Sequence, residues 1–207
     1  MAHHGVLFLD ELPEFDRKVL EVLREPLESG HIVISRARDR VSFPARFQLV
    51  AAMNPCPCGY MGDPSGRCRC TPEQIQRYRN KLSGPLLDRI DLHVTVARET
   101  TALNPALQDG DNTAKASAQV AESRERQLKR QGCANAFLDL PGLRKHCTLA
   151  KVDESWLETA CERLTLSLRA AHRLLKVART LADLEQADTI ARHHLQEALQ
   201  YRPAAIT

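Results

Sequence analysis

No apolar run in this 207-residue sequence approaches the roughly 20 residues that a membrane-spanning helix needs. The first five residues also lack the basic-then-apolar order of a secretory signal peptide. The formal net charge is only +3, which is too small to indicate a nucleic-acid surface unless the basic residues cluster. These absences argue against a membrane or secreted protein. We expect a cytoplasmic protein, in which 43% hydrophobic residues suffice for a core.

Two chemical motifs are absent as well. The sequence contains no Gly-Lys dipeptide, and so it has no G-x-x-x-x-G-K-[ST] loop of the kind that cradles nucleotide phosphates. It also has no C-x-x-C pair, which argues against a redox-active dithiol among its seven cysteines. Because cytosolic disulfides are uncommon, reduced thiols and a metal site remain as interpretations.

Hydrophobic patterning predicts an α/β fold in the first half of the chain. The short apolar run at residues 5–9 is typical of a buried parallel strand, and two acids, Asp10 and Glu11, follow it. Similar runs predict strands at 47–53 and 90–96. The remaining predicted elements are a helix over 16–29 that stops at Gly30, a β-hairpin within 31–47, and a helix from about 72 to 82.

The second half of the chain is predicted to be helical. Residues 100–112 contain Asn, Pro, Gly and Asp without periodicity, which indicates a linker. Beyond it, helical periodicity is present near 113–131, 153–165, 167–184 and 192–200. Asp153 is the predicted N-cap of the second of these helices.

Adjacent carboxylates at the end of an apolar strand suit metal-assisted phosphoryl transfer. One acid, Asp10, can hold Mg²⁺ through water, and the next, Glu11, can orient the attacking water. The same pattern also fits acids that only cap the following helix, so these two residues alone leave both interpretations open.

Three segments together resemble a known family. They are Gly5-Val-Leu-Phe-Leu-Asp-Glu-Leu-Pro-Glu-Phe15, the strand that ends in Asn54-Pro55, and Leu82-Ser-Gly-Pro-Leu-Leu-Asp-Arg-Ile-Asp-Leu92. In this order they look like the Walker B, sensor 1 and arginine-finger segments of AAA+ ATPases. The resemblance is to magnesium-chelatase-like proteins of the ComM/YifB type, which are related to minichromosome-maintenance helicases. It covers essentially the whole chain, and Val177-Ala-Arg-Thr-Leu-Ala-Asp-Leu184 extends it.

The resemblance implies roles for individual residues. It implies that Asp10 binds Mg²⁺ and that Glu11 polarises the hydrolytic water. It also implies that Asn54 is sensor 1, which hydrogen-bonds that water or the γ-phosphate. It makes Arg89 a finger that reaches a neighbouring subunit's site, although an ion pair with Asp88 or Asp91 is an alternative. In the lid, Arg169 best matches the sensor 2 arginine, and Arg173, four residues on, is the competing choice.

The family's phosphate-binding loop precedes the Walker B strand, and here only Met1 to His4 precede that strand. We therefore expect this chain to be a piece of a longer protein that binds ATP weakly and is inactive alone. A sheet deprived of its neighbours exposes an edge, so we also expect pairing with another chain or a dimer.

Four of the cysteines form a C-x-C, nine-residue spacer, C-x-C arrangement. They are Cys56, Cys58, Cys68 and Cys70. Four thiolates suit tetrahedral Zn²⁺, and the intervening glycines allow the loop to fold back. The usual spacing is C-x-x-C, so structural zinc and four reduced thiols in a flexible loop both remain open.

The predicted hairpin has a basic tip formed by Arg36, Arg38 and Arg40. Alternating residues of a strand share one face, so we expect these arginines to project together toward phosphates. A solvated, salt-bridged tip is the alternative. In helicases related to the family, a hairpin at this place lines the central pore and contacts DNA.

The resemblance thus implies a partial P-loop AAA+ core over residues 1–99, with the Cys-rich loop at 56–70, a linker over 100–112 and a helical lid over 113–207. The implied full-length protein is a hexameric ATP- and Mg²⁺-dependent motor acting on DNA, in natural transformation or recombination. Two alternatives stay open. One is a chelatase-type ATPase that remodels a protein partner, and the other is a zinc-containing interaction module without enzymatic activity.

Overall fold

The computed structural model describes residues 2–36, 39–96 and 112–202. The chain divides into two compact units, Met1–Ile90 and Asp91–Thr207. The first is mixed α/β, and the second is helical. The predicted linker at 100–112 lies outside the described residues except for Asn112, which caps the helix that follows.

The first unit contains a two-stranded parallel sheet. Strand β1 is Val6–Leu9 and strand β4 is Gln48–Ala51, and their register pairs Val6 with Gln48 and Leu9 with Ala51. One face of the pair is partly buried, while the other exposes the apolar side chains of Val6, Phe8 and Val50. Apolar residues on both faces are typical of parallel strands that are covered on both sides.

Two short helices follow β1 in place of the single helix predicted over 16–29. Helix α1 is Arg17–Val22 and helix α2 is Arg24–Ser29, with Leu23 between them. Pro26 explains the interruption, because it has no N–H to donate to the carbonyl four residues earlier. Helix α2 ends at Gly30, which has a φ of 72°.

A β-hairpin comes next, as predicted. Strand β2, His31–Arg36, pairs antiparallel with strand β3, Asp39–Pro44. The cysteine-containing segment then follows β4, and helix α3, Pro72–Arg79, begins with a capping box between Thr71 and Gln74. The short helix α4, Gly84–Leu87, is capped by Ser83.

The core of the first unit is small. It is formed by Leu12, Leu20, Leu82 and Leu86, which are at most 6% exposed. Leu9 and Ala51 at the ends of the parallel strands pack against it. The core therefore anchors the carboxyl ends of β1 and β4.

The strand predicted at 90–96 is not formed within those described residues. Leu92, Val94 and Val96 are exposed, and the N–H of His93 donates to the carbonyl of Tyr201. An apolar run becomes a strand only where a neighbouring strand pairs with it, and the described residues place none beside this segment.

The described residues of the second unit form five α-helices and one short 3-10 helix, Asn135–Phe137. The α-helices are α5 Thr113–Gln131, α6 Leu140–His146, α7 Lys151–Arg163, α8 Leu168–Leu184 and α9 Arg192–Gln200. Their core centres on α8, which contributes Leu174, Ala178 and Ala182. Among residues 2–36, 39–96 and 112–202, no helix is long and apolar enough to span a membrane.

Two local predictions in this unit need correction. Asp153 does not cap α7, because the N-cap is Ala150 and Asp153 lies three residues further on. Its carboxylate instead accepts a hydrogen bond from Arg192 Nε at 2.5 Å. Helix α6 was not predicted, since it is too short for its periodicity to be evident.

A buried ionic network joins helices α5 and α8 and the 3-10 helix Asn135–Phe137. The Asp183 carboxylate, fully buried, accepts hydrogen bonds from Arg130 Nη1 at 2.5 Å, from Arg130 Nη2 at 2.9 Å and from Asn135 Nδ2 at 2.9 Å. Arg179 Nη2 lies 3.2 Å away. Burial alone raises the pKa of Asp183, but these hydrogen bonds and the Arg179 charge hold that pKa below its usual value.

Candidate functional site

The predicted acidic pair lies at the carboxyl end of β1. The Oδ1 atom of Asp10 accepts a hydrogen bond from the backbone N–H of Glu11 at 2.9 Å. Glu11 adopts a left-handed conformation, with φ 50° and ψ 47°, immediately before a short 3-10 helix at Leu12–Glu14. Both carboxylates are exposed. The two acids are therefore accessible to solvent at the end of β1.

Asn54 lies at the same edge of the sheet, because β1 and β4 are parallel. Backbone hydrogen bonds continue past the strands, from Ala52 N to the Leu9 carbonyl and from Leu12 N to the Ala52 carbonyl, each at 2.9 Å. Asn54 follows two residues later and is exposed. The carboxyl ends of adjacent parallel strands are where α/β sheets bind ligands.

Tyr78 of α3 supports Asn54. The Tyr78 side chain is buried, and its hydroxyl oxygen faces the backbone N–H of Asn54 as a hydrogen-bond acceptor. The pKa of Tyr78 is raised above its usual value, mainly by burial and also by the nearby carboxylates of Glu14 and Glu11. The hydrogen bond from Asn54 opposes this rise. Sequence reasoning did not identify Tyr78, and no local motif indicates it.

Arg89 forms an ion pair within the first unit. Its Nη2 lies 2.5 Å from Oε2 of Glu28, at the end of α2, and its Nη1 donates to the Pro85 carbonyl at 2.6 Å. The Arg89 side chain is 12% exposed. The sequence suggested Asp88 or Asp91 as ion-pair partners; Glu28, 61 residues away, has no signal in the local sequence.

The two candidate lid arginines lie on α8 in the second unit. Arg169 is in the first turn of this helix and is exposed. Arg173, one turn later, places Nε 2.5 Å from Asp91 Oδ1 and is mostly buried. The structure thus gives the two arginines different environments, with Arg169 the more accessible to solvent.

The four clustered cysteines converge. Their sulfur atoms all lie within 4.8 Å of one another, with Cys56 buried and Cys58 exposed. The Sγ atom of Cys68 lies 3.7 Å from those of both Cys56 and Cys58. The Tyr60 backbone and the neighbouring thiols lower the pKa of Cys58 to about 6, whereas the hydrogen bond with Cys58 raises the pKa of Cys70 to about 12. This cluster can hold a metal ion.

The basic hairpin differs from the prediction in one respect. Arg40 is exposed, whereas Arg38 and the side chain of Arg36 lie outside the described part of the chain. The register pairs Arg40 with Ser35 and Arg36 with Asp39. Since cross-strand partners share a face and neighbours alternate, positions 36 and 40 lie on opposite faces of the hairpin. The expectation of one common face is therefore wrong for these two positions.

A second group with metal-binding residue types was not predicted. Nε2 of His193 and Nε2 of His194 each lie 3.0 Å from Glu185 Oε2. His194 is buried, and its Nδ1 accepts the backbone N–H of Ala191 at 2.9 Å. Both nitrogens of His194 thus have partners in the structure, and Nδ1 caps the start of helix α9.

Comparison with known proteins identifies the class. The family described as "Magnesium chelatase, subunit ChlI" matches residues 1–103, and "Magnesium chelatase, subunit ChlI C-terminal" matches residues 110–202. The chain belongs to this magnesium-chelatase-like family.

Particular relatives are similar along nearly the whole chain. It is 53% identical over 204 residues to the uncharacterized protein YifB of Escherichia coli and 51% identical over 207 residues to the competence protein ComM of Haemophilus influenzae. Each comparison covers 98% of this chain but 40% of the relative. A more distant similarity, 24% over 212 residues, is to the DNA replication licensing factor Mcm6 of Drosophila pseudoobscura, and it covers 97% of this chain and 24% of that protein.

Proposed function

We propose that this chain provides the catalytic, sensor and trans-acting parts of an ATP-driven AAA+ motor. The observation that carries the proposal is the parallel pairing of β1 with β4, which brings Asp10, Glu11 and Asn54 to one edge of the sheet. Membership of the magnesium-chelatase-like family supports it.

In this proposal the three side chains divide the work of phosphoryl transfer. Asp10 holds Mg²⁺ through water, and Glu11 orients and polarises the water that attacks the γ-phosphate. Asn54 hydrogen-bonds that water or the phosphate, because an amide can donate and accept without adding charge. When bound, Mg²⁺ neutralises charge that develops on the transferring phosphoryl group.

Two arginines complete the proposed site. Arg89 leaves Glu28 and reaches the nucleotide of a neighbouring subunit in a hexameric ring, where its guanidinium stabilises the transferring phosphoryl group. Arg169, the more exposed of the two lid candidates, serves as the sensor in the helical lid. The proposed boundaries are 1–99 for the core, 100–112 for the linker and 113–207 for the lid.

The nucleotide cradle is proposed to come from outside these 207 residues. The chain spans about 40% of the length of the relatives YifB and ComM and contains no Gly-Lys dipeptide. The exposed apolar face of β1 and β4, with Phe8 59% exposed, is a surface that further strands or helices of an AAA+ core would cover.

We propose that the motor moves along DNA. The names of two relatives refer to competence and to DNA replication. The hairpin tip, with Arg36, Arg38 and Arg40, supplies cations for phosphate contacts. We therefore propose a helicase or branch-migration activity in transformation or recombination.

The test is a chimera in which residues 2–202 of this chain replace the matching segment of Haemophilus influenzae ComM, with unmodified ComM as the control. The chimera is expected to hydrolyse ATP faster with DNA present. Glu11→Gln should lower kcat by at least about 10²-fold. Glu14→Gln is the matched control, because Glu14 is an exposed acid in the same turn whose partner is Lys81.

Two outcomes would count against parts of the proposal. An unchanged rate in the Glu11→Gln chimera would reject the catalytic assignment. A rate that ignores single- and double-stranded DNA, and is insensitive to alanine at all three hairpin arginines, would favour a chelatase-type ATPase that remodels a protein partner.

A further inference from the structure

The Cys56/Cys58/Cys68/Cys70 cluster has the dimensions of a single-ion site. A tetrahedral ion that binds thiolates at roughly 2.3 Å separates neighbouring sulfurs by about 3.8 Å. The Sγ of Cys56 lies 3.4 Å from that of Cys58 and 3.7 Å from that of Cys68, and Cys58 to Cys68 is also 3.7 Å. The fourth sulfur, that of Cys70, lies within 4.8 Å of the other three, so the four thiols are close enough to surround one ion.

The loop is built from successive turns that bring its two ends together. Backbone hydrogen bonds close turns from Gly59 to Cys56, from Asp63 to Tyr60 and from Gly66 to Asp63, at 3.0 to 3.1 Å. Gly59 and Gly66 have φ values of 78° and 66°, which residues with a Cβ rarely adopt. The second cysteine pair is thereby returned to the first.

Side chains of the same loop reinforce this geometry. Asp63 accepts hydrogen bonds from Ser65 N at 2.8 Å and from Arg67 Nη2 at 3.2 Å. The Arg67 guanidinium stacks 4.3 Å above the Tyr60 ring. These contacts shape the backbone, and the thiols of Cys56, Cys58 and Cys68 contact one another.

From this convergence we propose that Cys56, Cys58, Cys68 and Cys70 form a structural, mononuclear zinc tetrathiolate site. An iron–sulfur cluster places its thiolates on different iron atoms and so spreads them further apart than this site allows. Disulfides are disfavoured because the observed separations exceed a sulfur–sulfur bond of about 2.05 Å, and because a C-x-C pair is too short for relaxed disulfide geometry. Zn²⁺ is redox-inert and accepts four thiolates in a closed site.

The cysteine cluster lies between the segment that contains Asn54 and the start of helix α3. Strand β4 ends at Ala51, Asn54 follows three residues later, and Cys56 lies two residues beyond Asn54. The loop rejoins regular structure at Thr71, which caps α3, one residue after Cys70. A Cβ at Gly59 would lie 3.8 Å from the Asn54 side chain. The ion therefore fastens the segment beside Asn54 to the start of α3.

The proposed zinc site does not depend on ATP hydrolysis, and the experiment that tests it measures metal content instead of ATPase activity. The 207-residue chain, purified without added metal, is expected to contain about one zinc per chain by mass spectrometry. Cys68→Ser and Cys70→Ser should each lower the zinc content at least about tenfold. After exchange, Co²⁺ should give the intense visible bands of a tetrahedral thiolate complex, which a loosely bound ion does not produce.

Two matched controls separate this site from other metal-binding groups. His193→Gln disrupts the Glu185/His193/His194 group, and Cys161→Ala removes a half-buried thiol of the second unit. Both variants should keep full zinc content. In the unmodified chain, the four loop thiols should resist a thiol reagent until a chelator is added.

The proposal is overturned if the chain, after refolding with zinc, holds much less than one equivalent and all four loop thiols react freely. Iron in place of zinc would overturn the identity of the ion. Loss of zinc in His193→Gln with retention in Cys68→Ser would overturn the ligand set. None of these results bears on the proposed ATPase function, so the two proposals can fail separately.

Discussion

The Arg89 guanidinium lies 2.5 Å from the Glu28 carboxylate at the end of α2, with only 12% of the arginine side chain exposed. If Arg89 acts on the nucleotide of a neighbouring subunit, its guanidinium must leave the Glu28 carboxylate and bind the nucleotide's phosphate instead. Glu28 is 47% exposed, so water can replace its carboxylate as a partner of Arg89 when the arginine moves. The pair can thus position Arg89 without locking it.

The first prediction concerns the action of Arg89 in trans. In the ComM chimera, Arg89→Ala should lower kcat by about 10³-fold or more, as for other arginine fingers. Glu28→Gln should change it by less than about fivefold, because Glu28 is about half exposed and solvent screens its ion pair with Arg89.

Mixing experiments distinguish trans from cis action. Subunits with Arg89→Ala retain Glu11, and subunits with Glu11→Gln retain Arg89, so an equal mixture should restore activity at about a quarter of the interfaces of a cyclic ring. A mixture as inactive as its components would show that the two residues act within one subunit.

The second prediction concerns the buried Asp183 network. Asp183→Asn leaves Arg130 and Arg179 without their anionic partner, and it should destabilise the second unit by about 3–5 kcal/mol. Asp188→Asn is the matched control, because that carboxylate is 93% exposed. Trp156 is the single tryptophan and packs against the core of this unit, so its fluorescence reports unfolding of this unit alone.

The pH dependence follows from the pKa of Asp183, which is lower in the folded chain than its usual value. A carboxyl group whose pKa is lower in the folded state stabilises the fold at pH values above its pKa in the unfolded chain, which is about 3.9. This stabilisation is lost as the pH falls through the pKa of the folded state. The Trp156 transition should therefore lose stability on acidification below about pH 4. In Asp183→Asn this loss should be smaller, and an equally steep loss would contradict the assignment.

Patterns of local sequence predicted the parts of the fold that local forces determine. The apolar run before Asp10 predicted β1, and the periodicity of 167–184 predicted α8 closely. The convergence of the four cysteines followed from their spacing and the glycines between them. Each of these features depends on residues close together in the chain.

Features that depend on distant partners could not be predicted. The 90–96 segment has the apolar content of a strand, but strand formation depends on a neighbour to pair with. The register of the hairpin is set by its turn, which decides whether positions 36 and 40 share a face. The partner of Arg89, Glu28, is 61 residues away, and no periodicity encodes that contact.

The third prediction links the proposed zinc ion to Asn54 and rests on the proposed ATPase function. In the chimera, Cys68→Ser should lower kcat about tenfold, because a loosened loop no longer holds Asn54. The combination with Asn54→Ala should be no slower than Asn54→Ala alone, since both changes remove the same contribution. Cys161→Ala should have no effect, and additive losses would show that the ion stabilises the loop without positioning Asn54.

The fourth prediction concerns the hairpin arginines and DNA. If Arg40 contacts a phosphate, Arg40→Ala should weaken binding of the chimera to all DNA sequences alike. It should also reduce the slope of log K against log salt by about 0.9 on duplex DNA and about 0.7 on single strands. Fluorescence anisotropy over a series of salt concentrations measures both quantities.

Positions 36 and 40 lie on opposite faces of the hairpin, so their contributions can be separated. A pore that surrounds the DNA contacts one face more than the other, and Arg36→Ala and Arg40→Ala should then differ in their salt slopes. Arg163→Ala, an exposed arginine at the end of α7, is the control and should leave the slope unchanged. If both hairpin variants have the same salt slope as the unmodified chimera, Arg36 and Arg40 do not contact the DNA.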